Sequence, residues 1–312
     1  KDLLLQTAVP IAAGSAEAAF FNLGEIQNKG WDFSLSYNDK IGELDFGITG
    51  ILSTYKNNVL DIDGNLESFF QGPGGNPSIV AARTQVGQEI AAFYGLIVDG
   101  VLQQDTDRNS DGTISVSERA GSFSFRDLNN DGTIDFNDRD FIGSPHPDFT
   151  YSLNLNAEYK NFDFTIFFRG SQGNDIWAYD RIFTDFQFRE GINRSTRVLS
   201  AWTPDNPTNG LAEFNLNTAT FNQQASSYYV EDGSYLRLQT LQLGYTFPDL
   251  GLGLDKLRIY VQGQNVFTIT NYSGIDPEVG ENESDEGFEI GVDRGTTYTV
   301  PRTFILGFNV SF

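Results

Sequence analysis

The sequence predicts an all-β chain: a segment of a transmembrane antiparallel β-barrel with long loops on one rim. Three observations carry this. Apolar and polar residues alternate with period 2 over long stretches, the connections alternate between short and long, and the acidic charge gathers in the long ones.

The strands follow in order. Trp31, Phe33, Leu35 and Tyr37 alternate with Asp32, Ser34 and Ser36, and Leu44, Phe46 and Ile48 resume after a turn over Asn38 to Gly42, which reads as a hairpin. The cleanest strand puts Phe149, Tyr151, Leu153, Leu155, Ala157 and Tyr159 on one face and Thr150, Ser152, Asn154, Asn156 and Glu158 on the other. Tyr159 to Phe162 turns it into Phe162, Phe164, Ile166 and Phe168. Tyr235 to Phe247, a turn near Pro248 to Asp255, Leu257 to Thr270, and Phe304 to Phe312 complete seven strands. Leu236 and Leu238 are even whereas Leu241, Leu243, Tyr245 and Phe247 are odd, so the apolar face switches near Thr240 and predicts a bulge. Helix is a minor component, with Ser195 to Ala201 as a short loop helix.

Short connections at 38–43, 159–162 and 248–255 alternate with long ones at 56–147, 172–228 and 271–300. Compact soluble domains seldom tolerate such long loops, whereas outer-membrane barrels have short turns on the periplasmic rim and long loops outside. The long segments carry net charges of -8, -2 and -7 out of a total of -22. Ten steps from Phe149 to Tyr159 span roughly 33 Å, which a tilt near 40° projects to about 25 Å, the height of a lipid-facing band. A soluble β-sandwich also alternates, but with shorter strands and turns at closer intervals.

Composition sets further bounds. A chain of 312 residues holds one or two domains. It has no Cys, hence no disulfide framework or thiolate metal site, and no apolar run long enough for a spanning helix. The acidic balance argues against a nucleic-acid partner, which clustered Lys and Arg would mark. The missing initiator Met, and a start at Lys1-Asp-Leu-Leu-Leu without a signal peptide, lead us to expect a processed or internal piece of a longer protein.

Two twelve-residue loops inside 56–147 have the spacing of calcium sites. In the first, Asp107, Asn109 and Asp111 hold positions 1, 3 and 5, Gly112 permits the turn at 6, Thr113 offers a carbonyl at 7, Ser115 stands at 9 and Glu118 closes at 12. The second repeats this with Asp127, Asn129, Asp131, Gly132, Thr133, Asp135 and the shorter-armed Asp138. An Asx-rich turn without metal is the competing reading. Trp177, Tyr179 and Trp202 in 172–228 are candidates for stacking on a substrate or partner, against packing of the loop on itself or on the barrel mouth.

Other features carry less. His146, the one histidine, has no partners for a zinc site or a triad and reads as structural. The carboxylates of Glu278 to Glu289 read as a solvated run, not a glycosidase pair. Gln71 to Asn76 lacks the Lys-Ser/Thr of a phosphate loop and reads as a turn.

Six segments together, in order and spacing, resemble the C-terminal barrel portion of SusC/RagA-type TonB-dependent outer-membrane transporters. They are Asn28-Lys-Gly-Trp-Asp-Phe, Arg126 to Asp135 followed by Ile142-Gly-Ser-Pro-His-Pro, Tyr159-Lys-Asn-Phe-Asp-Phe, Glu231 to Leu238, Leu243-Gly-Tyr-Thr-Phe-Pro and Gln264-Asn-Val-Phe. The resemblance spans nearly the whole chain. It implies part of a 22-stranded barrel plugged by a preceding domain, a SusD-like surface lipoprotein as lid, TonB acting through the missing N-terminal part, and import of a glycan or peptide. It also implies that the strand ending at Phe312 is an insertion signal. Within the family pattern the loop Asp127 to Asp138 is expected, and Asp107 to Glu118 is an addition.

The expectation is therefore a transporter segment in the bacterial outer membrane, not an enzyme, facing lipid on one side. Its loops 56–147, 172–228 and 271–300 would be extracellular, and structural Ca2+ would tie the first into one conformation. The alternative is a soluble or surface calcium-binding β-protein acting as an adhesin or carbohydrate-binding module.

Overall fold

The computed structural model describes all residues except 1–2, 8–18, 63–68, 72–80, 188–190, 192, 249–254, 280–289, 296–298 and 312. Most of Gln71 to Asn76, most of the Glu278 to Glu289 run and Phe312 lie outside the described residues.

Strands follow one another in chain order. The first three are β1 (Leu3–Thr7), β2 (Ala19–Ile41) and β3 (Leu44–Asp61). Six short strands come next: β4 (Phe69–Gln71), β5 (Ala82–Gln85), β6 (Ala92–Leu96), β7 (Val98–Val101), β8 (Phe123–Phe125) and β9 (Arg139–Gly143). Then come β10 (Phe149–Tyr159), β11 (Phe162–Gln172), β12 (Asp175–Ala178) and β13 (Val230–Asp232). The chain closes with β14 (Tyr235–Pro248), β15 (Lys256–Thr270), β16 (Val292–Asp293) and β17 (Thr303–Ser311).

Eight of these form one antiparallel sheet in the order β1-β2-β3-β10-β11-β14-β15-β17, the wall. The wall has one strand more than the seven read from the sequence. β1 was missed because Leu3-Leu4-Leu5 is a continuous apolar run with no alternation. The hairpins β2–β3 and β10–β11 are closed by tight turns, with Gly42 (φ 64°) and Lys160 (φ 55°) in the left-handed region the turns require.

Register assigns the two faces. Phe33 pairs with Leu52, Leu155 with Ile48 and Ile166, Phe164 with Leu243, Leu243 with Val261, and Val261 with Leu306, so one face is apolar from strand to strand. Trp31, Phe33, Leu35, Phe304, Leu306 and Phe308 on it are each more than half exposed. A continuous apolar surface of this extent is stable against lipid and costly against water. The opposite face carries Asn154, Asn156, Gln242 and Gln262.

The expected bulge is present. Phe167 and Phe168 pair with Thr240 and Leu238, leaving Gln239 over. The strand β15 answers with an irregularity of its own, Asn265 at φ 51°. This keeps Leu236, Leu238, Leu241 and Leu243 all on the apolar face despite their change of parity.

Two wall strands overshoot. β2 has 23 residues and β3 has 18, where the sequence pattern supported about half of that. At about 3.3 Å per residue and a tilt near 40°, β2 rises roughly 58 Å, about twice the height of a lipid band. The long connection thus begins beyond Asp61 rather than at 56.

The long connections are not structureless. They build three small sheets, β13-β12-β16, β4-β5-β6-β9 and β7-β8, and share one hydrophobic core, here called the cap. Phe93, Phe123 and Phe125 come from the first connection, Trp177, Phe186 and Tyr229 from the second, and Val292 from the third. Among the described residues helix is confined to α1 (Arg181–Thr184), α2 (Leu216–Asn222) and 3-10 turns, one of which, Thr196–Ser200, lies within the expected Ser195 to Ala201.

Candidate functional site

The two acidic loops flank β8 and fold alike. In the first, Asp107 Oδ2 accepts the Gly112 N–H at 3.0 Å and Oδ1 the Asp111 N–H at 3.2 Å, while Asp111 Oδ1 accepts the Thr113 N–H at 2.7 Å. The second repeats it: Asp127 Oδ2 accepts the Gly132 N–H at 2.8 Å, Asn129 Oδ1 the Asp131 N–H at 3.0 Å, and Asp131 Oδ1 the Thr133 N–H at 2.8 Å. Ser110 and Asn130 at position 4, and Gly112 and Gly132 at position 6, all have positive φ, so the two backbones turn the same way.

The twelfth residue closes each loop from inside. Glu118 is buried, and its Oε1 accepts the Arg108 N–H at 2.8 Å while Oε2 accepts the Ser115 N–H and hydroxyl at 2.9 and 2.6 Å. The Ser115 hydroxyl and these backbone donors hold its carboxyl below the usual carboxylate range. Asp138, fully buried, accepts from Leu128 and Asp135 at 2.9 and 2.8 Å. The shorter arm of Asp138 therefore reaches the same two loop positions. A Cβ on Gly132 would stand 3.1 Å from Asn109 Cα, so the loops also touch each other.

These contacts bear on calcium in two ways. The side chains at positions 1, 3, 5 and 12 are oxygen donors turned into their loops, as a hard cation requires. Among the described residues no group of three His, Asp or Glu side chains converges. An ion would therefore draw also on Asn109 or Asn129 and on the Thr113 or Thr133 carbonyl.

Trp177, Tyr179 and Trp202, candidates either for stacking on a substrate or partner or for packing of the loop, are all buried in the cap. Trp177 is fully buried, stacked on Tyr229 at 5.3 Å and tilted against Phe93 at 5.7 Å, and its strand β12 is flanked by β13 and β16. Tyr179 meets Phe183 edge-on at 5.6 Å. Trp202 is buried with its Nε1–H donating to Gln103 Oε1 at 3.0 Å. The rings were drawn inward because the three connections together offer enough apolar surface to bury them. His146 Nε2 lies 2.9 Å from the Ile90 carbonyl oxygen.

Sequence reasoning missed the charged groups that tie the cap together and, at one place, to the wall. Glu231 pairs with Arg181 at 2.6 Å and accepts the Ser273 hydroxyl at 2.8 Å. Asp185 accepts from Arg197 at 2.9 Å and Tyr228 at 2.6 Å, and burial together with that carboxylate pushes the Tyr228 phenol far up. On the inner face of the wall, Arg169 and Arg237 meet Asp276 and Glu278 of the third connection. The register of β11 on β14 sets the two arginines side by side, and the third connection carries the two carboxylates to them.

An apolar groove of about 590 Å3 lies on the outer face beside Gly263, between Leu241, Val261, Val266 and Phe304. A polar depression of about 630 Å3 lies at the short-turn rim between Glu158, Lys160, Lys256 and Arg258, where Arg258 grips Asp163 at 2.8 and 2.5 Å.

An eight-stranded meander with an apolar outer face, a polar inner face and a cap on one rim defines a portion of an outer-membrane β-barrel. No family model matches the sequence. The chain is 34% identical to TonB-dependent receptor P3 of Formosa agariphila over 323 aligned positions, and 28% identical to TonB-dependent receptor SusC of Bacteroides thetaiotaomicron over 329. Each alignment covers 100% of this chain but 31% and 29% of the relative, so the chain spans about a third of their length. The fold matches the RagAB peptide transporter with a TM-score of 0.77 at 20% identity, over 100% of this chain and 32% of that one. The chain is thus similar in sequence to about a third of TonB-dependent receptors, SusC among them, and shares its fold with the corresponding part of the RagAB peptide transporter.

Proposed function

We propose that this chain is the C-terminal barrel part of a receptor that imports a glycan or peptide across the outer membrane with energy delivered through TonB. The observation that carries the reading is the wall: its outer face is apolar from strand to strand, its inner face is polar, and eight strands form an open sheet. Open edges are not stable in lipid, so further strands of the same receptor complete the barrel and its plug binds inside. The cap stands on the long-loop rim, outside the cell, and a SusD-like lipoprotein seats on it. Detergent dependence tests the core of this reading: a chain that remains monodisperse in plain buffer overturns it in favour of a soluble adhesin or carbohydrate-binding module.

The acidic loops are proposed to hold structural Ca2+. Asp107, Asn109, Asp111 and Glu118 would supply the first site with the Thr113 carbonyl and a Ser115-side ligand, and Asp127, Asn129, Asp131, Asp135 and Asp138 the second with the Thr133 carbonyl. Calcium supplies positive charge that offsets the self-repulsion of an acidic segment. The protein's part is to hold both loops against β8. Chelation is expected to raise protease cleavage between 105 and 140 while barrel β content stays constant; unchanged cleavage overturns the calcium proposal and leaves the transport reading standing.

A further inference from the structure

The inner face of the wall carries a charged constellation that neither transport nor calcium accounts for. Arg169 on β11 and Arg237 on β14 are direct cross-strand partners, so two guanidinium groups stand side by side on one face. Like charges in that position repel. Arg237 is nevertheless withdrawn from solvent, its side chain 3% exposed, while that of Arg169 is 38% exposed.

The compensation comes from outside the wall. Glu278 takes Arg169 Nη2 at 2.5 Å on Oε1 and 2.6 Å on Oε2, accepts from Arg237 Nη1, and accepts the Tyr235 hydroxyl at 3.0 Å. Asp276 takes Arg237 Nη2 at 2.6 Å, and Thr268 Oγ1 accepts from Arg237 Nε at 2.9 Å. Arg169 Nε is buried with no partner among the described residues. Two guanidinium groups and a phenol converging on one carboxylate make a donor set suited to any planar or tetrahedral oxyanion.

Glu278 belongs to the third connection and not to a wall strand, and its N–H turns back onto Asp276 Oδ1 at 3.0 Å. It can leave without breaking a ladder hydrogen bond. We propose that Arg169, Arg237 and Tyr235 form an oxyanion seat in the lumenal wall, that Glu278 is its resident occupant, and that a carboxylate- or sulfate-bearing cargo displaces it. The identity of the competitor rests on the transport reading; the seat does not. Displacement frees the strap 271–279 from the wall at the moment anionic cargo reaches this level of the lumen.

The test uses the full-length receptor in detergent. Hydrogen exchange of the 271–279 peptide is measured as sodium sulfate or sodium acetate replaces sodium chloride at equal ionic strength. Sulfate and acetate are expected to accelerate exchange at least about threefold over chloride, with the rest of the cap unchanged. In Glu278→Ala the strap loses protection by about tenfold or more, and millimolar sulfate raises the thermal transition, a rescue that Arg169→Gln in the same background abolishes. Exchange in the wild type that is the same in all three salts overturns the seat, whichever variant folds. Because no arm measures uptake, that failure is distinct from failure of the transport reading.

Discussion

Replacing Trp177 by Ala tests whether its ring packs the cap or contacts cargo. A tryptophan buries roughly 150–250 Å2, which at about 25 cal/mol per Å2 is worth about 4–6 kcal/mol, and large-to-small substitutions of this type cost about 3–5 kcal/mol once the site has partly collapsed. Trp177 is at the full end of that range, since it is enclosed by Tyr229 and Phe93 and lies in a three-stranded sheet. Against a domain stability of about 5–15 kcal/mol, the loss increases opening of the cap by two to four orders of magnitude, in units of about 1.4 kcal/mol per factor of ten. Hydrogen exchange of amides in β6, β8 and β12 reads this directly, and the heat-modifiable electrophoretic mobility of the barrel serves as control for the wall. Accelerated exchange in all three strands with an intact barrel is expected. Unchanged exchange together with weakened cargo binding refutes the packing assignment and restores Trp177 as a contact residue.

Other outcomes follow from contacts between connections. Gly95→Ala places a Cβ 2.5 Å from the Ala225 carbonyl oxygen, where Leu96 N–H now donates at 2.8 Å, and is expected to cost about 1–3 kcal/mol of cap stability by thermal melting. Gly132→Ala meets Asn109 and also strains a backbone at φ 82°, so it should loosen both acidic loops, seen as protease cleavage in Asp107 to Glu118 as well as in its own loop. Acidification acts on the first loop through Glu118 and Asp111, whose folded-state pKa values are lowered mainly by the Ser115 and Thr113 hydroxyls. Lowered groups contribute stability above their ordinary pKa and lose it as pH falls through the folded value. Exchange protection around 107–118 should therefore hold above about pH 5 and fall progressively below about pH 4, and a loop that is equally protected at both ends overturns this linkage. Asp175 and Asp180, raised chiefly by burial, act in the opposite sense: their protonation in acid relieves the desolvation of the charged form and favours the folded segment around β12 while the acidic loop weakens.

What the sequence disclosed depended on whether a residue had two different environments to choose between. β10 reads as Phe149 to Tyr159 and is found at Phe149–Tyr159, because lipid on one side and polar interior on the other impose alternation at each step. The upper part of β2, Gly24-Glu-Ile-Gln-Asn-Lys-Gly30, stands above that boundary, where both faces tolerate polar residues and the period fades. The acidic loops were legible because their twelve positions are local. The cap core was not, since Phe93, Trp177 and Val292 lie in three connections and carry no shared period. The Arg169–Arg237 pairing was hidden for the same reason, 68 positions apart and joined only by register.

The common core of the three connections decides which of them can be exchanged with those of a relative. A loop that stood alone could be exchanged with that of a relative and judged by the new cargo it admits. Here Phe123, Trp177 and Val292 fill one another's vacancies, so a graft of 172–228 alone would arrive with holes and overlaps where its neighbours used to fit. A stably folded chimera therefore has to carry 56–147, 172–228 and 271–300 together.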